Sequence, residues 1–261
     1  MRKCRLAGIG FMVIGLLSVT FSYADLNMAD VAGMWLYEEG AGTEVLDSSE
    51  NGNHGRFNGS PQWTDDGVFG GALNCASSGH VLIPDSDSLD LEAAWTLTTW
   101  VNINPPMERW QHVINKRFDI ADNYAIRLQD TGAWEVYINN GGWVRLGDPS
   151  KAIGGEWVHL AATYDGSSEL ILYVGGEQVA TRSAVGPPPA NDIDLRLGNY
   201  QGNSGGMDGM IDDTAIFTVD LTPKEIVTIK ENGLEVAMNI QSVGPLGKFP
   251  TFWGKIKKVY Q

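Results

Sequence analysis

An all-β fold of two antiparallel sheets, with one short helix near the C-terminal end, is predicted by three features of the sequence. Short segments rich in Val, Ile, Leu, Thr and aromatic residues alternate apolar with polar positions at period two. Gly, Asn, Asp or Pro interrupts them every ~8 to 15 residues. A single stretch carries both the start and the stop signals of a helix. Together these describe a sandwich or jelly roll, and a chain of this length needs only one such domain.

The elements follow in order. Arg2, Lys3 and Arg5 precede an apolar run from Leu6 to Phe21, and Ser22-Tyr23-Ala24 sets small residues at positions −3 and −1. That is the form of a secretory signal cleaved after Ala24. The run, at about 16 residues, is shorter than the roughly 20 a spanning helix needs. Residues 1–24 are therefore expected to be removed, 25–236 to form the domain and 237–261 a tail. The expected location is secreted, either periplasmic or extracellular, without stable membrane insertion after cleavage.

Strands are expected in "AGMWLYEEG", "HVLIPDSDSLDL", "WTLTTWVNI", "HVINKRF", "NYAIRLQD", "WEVYINN" and "WVRLGD", then in "WVHLAATYD", "LILYVGGEQVA", "IDLRLGNY" and "MIDDTAIFT". Asp165-Gly166 and Gly175-Gly176 are hairpin dipeptides that fold consecutive strands back on one another. The prolines of "VGPPPAND" cannot donate to a ladder, so this segment is expected to be an exposed connection. In "LTPKEIVTIKENG", Thr222 is the N-cap, Pro223 the first helical residue, Glu225 the partner in a capping box and Asn232-Gly233 the stop. The tail mixes Lys248, Lys255, Lys257 and Lys258 with Phe249, Phe252, Trp253 and Tyr260. It is either a frayed end packing its aromatics on the domain or a docking or sorting segment.

Charge and cysteine content narrow the partners. Removing the signal leaves 15 basic against 32 acidic residues, a net charge of −17. Such a surface repels phosphate backbones, which excludes nucleic acid as an expected partner. Cys4 leaves with the signal and Cys75 stands alone, so no intrachain disulfide is possible, and Cys75 in "GALNCAS" reads as a buried small hydrophobe.

In order along the chain, "GMWLYEEGAGTEVLDSSENGNHG", "GVFGGALNCASSGHVLIPDSDSLDL", "WTLTTWVN", "EWVHLAATYDGSSELILYVGGEQV", "LRLGNY" and "GMIDDTAIFTVDLTPKEI" cover about residues 30 to 230. As a set they resemble the laminin-G-like, concanavalin A-like jelly rolls of bacterial secreted proteins. The resemblance implies two sheets packed face to face, one of them concave with loops along its rim, used mostly to bind glycans or proteins. One departure is Cys75-Ala76, where such domains often carry an aromatic and then an acidic residue; it bears on any ligand role of that loop.

"DSSENGNHG" poses the main chemical question. Asp47, Asn51 and Asn53 offer oxygens at alternating positions, a composition that suits calcium but lacks the spacing of an EF-hand. The jelly-roll topology implied by the resemblance brings the last strand beside the first, so Asp212 or Asp213 is expected to complete a structural calcium site with Glu38 or Glu39. The other reading is a turn, in which Asp and Ser bond the local backbone and Asn51-Gly52 bends the loop. His54, His80, His112 and His159 show no zinc-binding spacing and are expected to bond backbone carbonyls.

No catalytic pattern stands out. Related glycanases set two carboxylates on one strand face, as Glu-x-Asp-x-Glu, and no such run occurs; Glu135 and Asp192 with Asp194 are the nearest approach. Nor is there a phosphate loop. A non-catalytic binding module is expected instead. Trp35, Trp100 and Trp157 read as core, whereas Trp110, Trp134 and Trp143, with Tyr137, Asn139, Asn140, Arg145 and Tyr200, are candidates to line a concave face or rim and stack on sugar rings. The expected partner is an extracellular glycan. The alternatives are an adhesion module that binds a cell-surface protein and, further off, a degenerate glycoside hydrolase.

Overall fold

A computed structural model describes residues 26–76, 79–117, 123–183, 186–200 and 205–240. The expected signal at 1–24 and most of the expected tail, 241–261, lie outside the described residues.

In chain order the strands are β1 (Val31–Trp35), β2 (Glu44–Val45), β3 (Gly55–Asn58), β4 (Gln62–Thr64), β5 (Ala72–Asn74), β6 (His80–Ile83), β7 (Trp95–Ile103) and β8 (Gln111–Lys116). They continue as β9 (Tyr124–Leu128), β10 (Trp134–Asn139), β11 (Trp143–Gly147), β12 (Trp157–Tyr164), β13 (Glu169–Val174), β14 (Glu177–Ser183), β15 (Leu195–Leu197) and β16 (Gly209–Phe217). A helix, α1 (Pro223–Ala237), follows. One antiparallel sheet runs β14-β13-β12-β7-β16-β5-β4 with β1 added on β16; the other runs β11-β10-β9-β8-β15-β6-β3-β2. The last strand does lie beside the first, with Trp35 opposite Thr214 and Met34 opposite Ala215.

Alternation decides what each sheet buries. Trp95, Leu97, Val101 and Ile103 of β7 face Ile126 and Val136 of the opposite sheet in one core. The intervening residues of β7 point outward, and this corrects the expected burial of Trp100. It is half-buried on the back of its sheet, 5.4 Å from the His159 ring and 6.2 Å from that of Phe69. Trp157 is half-buried too, its indole N–H donating to the Asp66 carbonyl (3.1 Å). Trp35 is fully buried, as expected.

The turns follow the local chemistry. Gly175 and Gly176 form the two-residue link from β13 to β14 with φ of 63° and 84°, the paired left-handed conformation of a tight hairpin. Asp165 closes the β12–β13 loop by accepting the N–H groups of Ser167, Ser168 and Glu169. Among its described residues, 186–192, the proline segment is irregular and only in part exposed as expected: Pro189, Ala190 and Asp192 are exposed, but Pro188 is buried, and the Pro189 carbonyl accepts from Asn123 Nδ2 (2.8 Å).

Helix α1 starts as its sequence dictates: Thr222 Oγ1 accepts from the Glu225 N–H while Glu225 Oε2 accepts from the Thr222 N–H. At Gly233 the backbone leaves the helical region (φ 77°, ψ 163°), and a final turn continues to Ala237. The helix packs Ile226, Ile229 and Leu234 on Met34, Ala215 and Phe217, covering the outer face of the β1/β16 sheet. Among the described residues no helix covers the outer face of the β8–β11 sheet. That face carries polar side chains on a fixed frame.

Candidate functional site

Cross-strand register builds the open face. His112, Arg127 and Glu135 are opposite one another across β8, β9 and β10; the next row, two residues along β9 and β10 and three along β8 where the register shifts between His112 and Ile114, is Asn115, Ala125, Tyr137 and Arg145 across β8 to β11. Trp134, Val136 and Ile138 take the other face of β10 and enter the core. The same period corrects the sequence expectation for Trp134. Three positions from Tyr137, it cannot share Tyr137's face, and it is 2% exposed among core residues.

The face holds an open hollow of about 450 Å³ lined by Arg109, Trp110, His112, Arg117, Arg127, Tyr200 and Gly205. Two of the predicted aromatics line it: Trp110, which is 37% exposed, and Tyr200, which is half-buried. Trp143, 40% exposed, stands beside it, and the Arg117 guanidinium bridges the two, 4.6 Å from the Trp143 ring and 5.0 Å from that of Tyr200. Tyr137 is fully buried beneath, its ring 5.4 Å from Trp143 and 4.7 Å from the Arg127 guanidinium. It is a floor to the site, not the exposed platform expected of it. Arg145 is exposed over the outer side of Trp143 (4.9 Å).

The predicted asparagines serve the frame. Asn139 Oδ1 accepts from the Gly141 N–H (3.2 Å) at the β10–β11 turn, and Asn140 Nδ2 donates to the Gly186 carbonyl (3.0 Å) in the proline segment.

The sequence reading overlooked Arg109, Arg117 and Arg127, and it gave His112 a backbone-carbonyl bond but no place in the site. Arg127 donates through Nε (2.8 Å) and Nη2 (2.5 Å) to Glu135 Oε1, while Gln129 Nε2 donates to Glu135 Oε2 (2.5 Å). Glu135 is 4% exposed and both its oxygens are bonded, so its carboxylate orients Arg127 and is closed to a substrate. Arg127 in turn lies 4.3 Å from the Trp110 ring.

His112 stacks on Tyr200 at 5.1 Å, with Nδ1 3.4 Å from the Gly205 carbonyl. Burial, with Arg127 and Arg117 adding their charge, pushes its pKa down to about 3, so the ring is neutral. Its Nε2 is buried without a partner. With the proton assigned to Nδ1, Nε2 is a buried acceptor. Gly205 makes this approach possible: a Cβ there would lie 2.8 Å from His112 Nδ1, at a φ of 112° that other residues avoid.

The remaining histidines depart from the expected carbonyl bonding. His54 Nδ1 accepts from the Asp47 N–H, His159 Nε2 bonds Thr98 Oγ1 (2.8 Å), and His80 Nδ1 is 3.4 Å from Asn199 Nδ2. Cys75 is buried, which pushes its thiol up to about 12 and leaves it unreactive.

The candidate calcium ligands fall into two groups. Asp47 Oδ1 accepts from the N–H groups of Met34 (2.9 Å) and Ser49 (2.8 Å), and Oδ2 from Ser49 Oγ (2.7 Å) and the Asn53 N–H (2.8 Å). Asn51 Nδ2 donates to the Val31 carbonyl (2.7 Å), and Asn53 Nδ2 to that of Ala32 (2.7 Å). Here the geometry is the turn reading, with side chains knitting the loop to β1. Such a carboxylate, filled with protein donors, does not fit a cation.

The second group keeps unbonded oxygens. Asp212 Oδ2 accepts from the Val68 and Phe69 N–H groups, and Glu39 Oε1 from that of Leu46, but Asp212 Oδ1 and Glu39 Oε2 are buried without partners. Burial raises the Asp212 pKa to about 6. Asp213 turns elsewhere, accepting from the Leu234 N–H (2.8 Å) at the kink of α1. Among the described residues no three His, Cys, Asp or Glu side chains are grouped to hold a metal ion.

The fold and the hollow can now be set beside known proteins. The family described as the concanavalin A-like lectin/glucanases superfamily matches residues 76–227, more than half of the chain. The chain belongs to this superfamily.

Solved structures agree on the fold. The receptor-binding domain of a botulinum neurotoxin C/D mosaic serotype superposes with a TM-score of 0.61 at 13% identity, over 78% of this chain and 51% of that one. A botulinum neurotoxin DC binding domain in complex with SialylT gives 0.62 at 13%, over 78% and 52%. Domain 4 of AbnA, an extracellular arabinanase of Geobacillus stearothermophilus, in complex with arabinotriose, gives 0.59 at 17%, over 77% and 98%. The chain thus spans about half the length of the toxin domains and nearly all of the arabinanase domain. No match was found among curated proteins. It is a two-sheet sandwich, and no helix among its described residues is long and apolar enough to cross a membrane.

Proposed function

We propose that the protein is a non-catalytic glycan-binding module that works outside the cell after cleavage behind Ala24, with the hollow on the β8–β11 sheet as its site. The observation that carries this is the grouping of exposed Trp110 and half-buried Tyr200 with arginines on the face that no helix among the described residues covers, while the Glu135 carboxylate is locked to Arg127. Aromatic faces stack on the C–H faces of sugar rings, and guanidinium and imidazole nitrogens bond hydroxyls. Membership of a lectin and glucanase superfamily supports the class of ligand. The binding domains among the structural neighbours support binding without chemistry.

A tryptophan-fluorescence titration against a glycan panel tests the reading. Trp110 and Trp143 are the indoles placed to respond, and Trp110→Ala is expected to remove most of the response. Silence across the panel would transfer the hollow to the second reading, a protein-docking surface. The concentration of Trp, Tyr and Arg favours that reading, since these residues dominate protein interfaces.

A structural calcium ion is proposed only at Asp212 and Glu39, whose buried oxygens lack partners, and not at Asp47, Asn51 or Asn53. Its part would be to join the first and last strands.

A further inference from the structure

Lys116, the last residue of β8, is fully buried, and its amine is not used by the ligand site. Five oxygens surround its Nζ: Asp85 Oδ1 (2.5 Å), Asp90 Oδ1 (3.1 Å), the carbonyls of Asn191 (3.0 Å) and Ile193 (3.1 Å), and Asn191 Oδ1 (3.1 Å). Strand order gathers them. β15 lies between β6 and β8, so the segment that leaves β6 and the segment that enters β15 both meet the end of β8. The Asn191 side chain is held from a second direction, since its Oδ1 also accepts the Ile193 N–H (3.1 Å), while the Asn191 N–H donates to Asp90 Oδ1 (3.3 Å).

Two aspartates supply the counter-charge that a buried ammonium requires. The carboxamide in contact with the same nitrogen gives the group a second chemistry. An amine, a carboxylate and a carboxamide held together are a nucleophile, its base and an electrophilic carbon. We propose that Lys116 and Asn191 join in an intramolecular isopeptide bond, with Asp85 moving the protons.

Asp85 takes one proton from the Lys116 ammonium, and the freed lone pair adds to Asn191 Cγ. Negative charge gathers on Oδ1, where the Ile193 N–H meets it. Asp85 gives its proton to Nδ2, the Cγ–Nδ2 bond breaks, and ammonia leaves. The surplus proton on Nζ then passes through Asp85 to the ammonia. In sum, an ammonium group and a primary amide become a secondary amide and an ammonium ion, and nothing is oxidised or reduced. The reaction runs once per molecule, so a small fraction of free amine is enough, and escape of the ammonium ion into solvent makes it one-way. Fixed contact replaces concentration, since well-oriented intramolecular reactions reach effective molarities of about 10⁵ M or more. The product ties together residues 75 apart in a domain whose cysteine, Cys75, is free, and restrains the unfolded chain as a disulfide does.

The test is mass spectrometry of the purified full chain and of its proteolytic peptides, the peptides also fixing its termini. The expected result is a chain lighter than its sequence by one ammonia, with a cross-linked pair of peptides joining Lys116 to Asn191. Asn191→Ala is expected to show its sequence mass and no cross-linked pair, and Asp85→Ala to lose most of the cross-link. Should either variant fail to fold, the wild-type mass and peptides decide. A wild-type chain at its sequence mass overturns the proposal, and so does a loss of ammonia without the cross-linked pair. A pair joined instead to Asp85 or Asp90, lighter by one water, overturns the choice of Asn191. Full cross-linking in Asp85→Ala overturns the part given to that carboxylate.

Discussion

Replacing Asp47 by alanine removes an acceptor that takes four bonds, three of them from backbone N–H groups. Met34 is fully buried in β1 and Asn53 is 5% exposed, so in the variant neither N–H has water to replace the lost oxygen. An orphaned buried donor costs about 1 to 3 kcal/mol. Two of them, with a small addition from half-exposed Ser49, give an expected loss of about 2 to 6 kcal/mol, a large fraction of the ~5 to 15 kcal/mol that holds a typical domain. Urea unfolding followed by tryptophan fluorescence, fitted by linear extrapolation, reads this directly. The loss is expected to be the same in calcium and in chelator, because the carboxylate is filled by the chain itself. A loss under about 1 kcal/mol, or one that appears only when calcium is present, would refute the reasoning.

Lys116 is fully buried, paired with Asp85 (2.5 Å) and Asp90 (3.1 Å), and donates to the Asn191 and Ile193 carbonyls. Lys116→Met leaves those partners uncompensated and is expected to lower stability by about 3 to 5 kcal/mol, seen as a fall in the urea midpoint. Trp134→Ala opens a core cavity and should cost about 3 to 5 kcal/mol, whereas Trp110→Ala should leave the melting temperature nearly unaltered while reducing glycan affinity; melting and titration of both separate core from site. His159 is held neutral by burial, with Lys230 adding to the effect, and its pKa falls to about 3 from an ordinary 6.5. The unfolded chain then binds the extra proton, so this group's stabilisation is complete above pH 6.5 and is lost as pH falls toward 3. His159→Gln is therefore expected to remove about one proton from the pH slope of stability between pH 4 and 6, measured by urea midpoints across that range. Melting wild type and Asp212→Asn with and without a chelator tests the second calcium group; a shift in wild type that the variant loses supports an ion there, and identical curves count against it.

How much of this could be read in advance depended on whether a feature was local. Gly175-Gly176, Thr222 with Glu225, and the alternation of "WTLTTWVNI" each encode their geometry within a few residues, and the hairpin, the cap and β7 are where the sequence puts them. Strands β2 to β5, of two to four residues, are too short to show a period, and they passed unnoticed. The site is non-local. Arg127 and Glu135 lie eight residues apart and meet only because β9 and β10 pair in one register. Arg117 reaches Tyr200 only because β15 docks beside β8. Trp134 shows the opposite lapse: the spacing to Tyr137 was visible, and parity alone placed it in the core.

The pairing of β1 with β16 has a mechanical consequence. Val31 stands opposite Phe217, and the Thr218 N–H reaches back to the Asp30 carbonyl (2.8 Å), so the domain's way in and way out lie side by side on the layer behind the hollow. Tension applied across these two points would peel the ladder open one bond at a time instead of shearing all its bonds together. Resistance then rests on α1, strapped over that seam and fastened by Leu234 to Asp213. Asp213→Ala should lower the rupture force measured by single-molecule pulling while the β8–β11 face, on the far layer, keeps its shape.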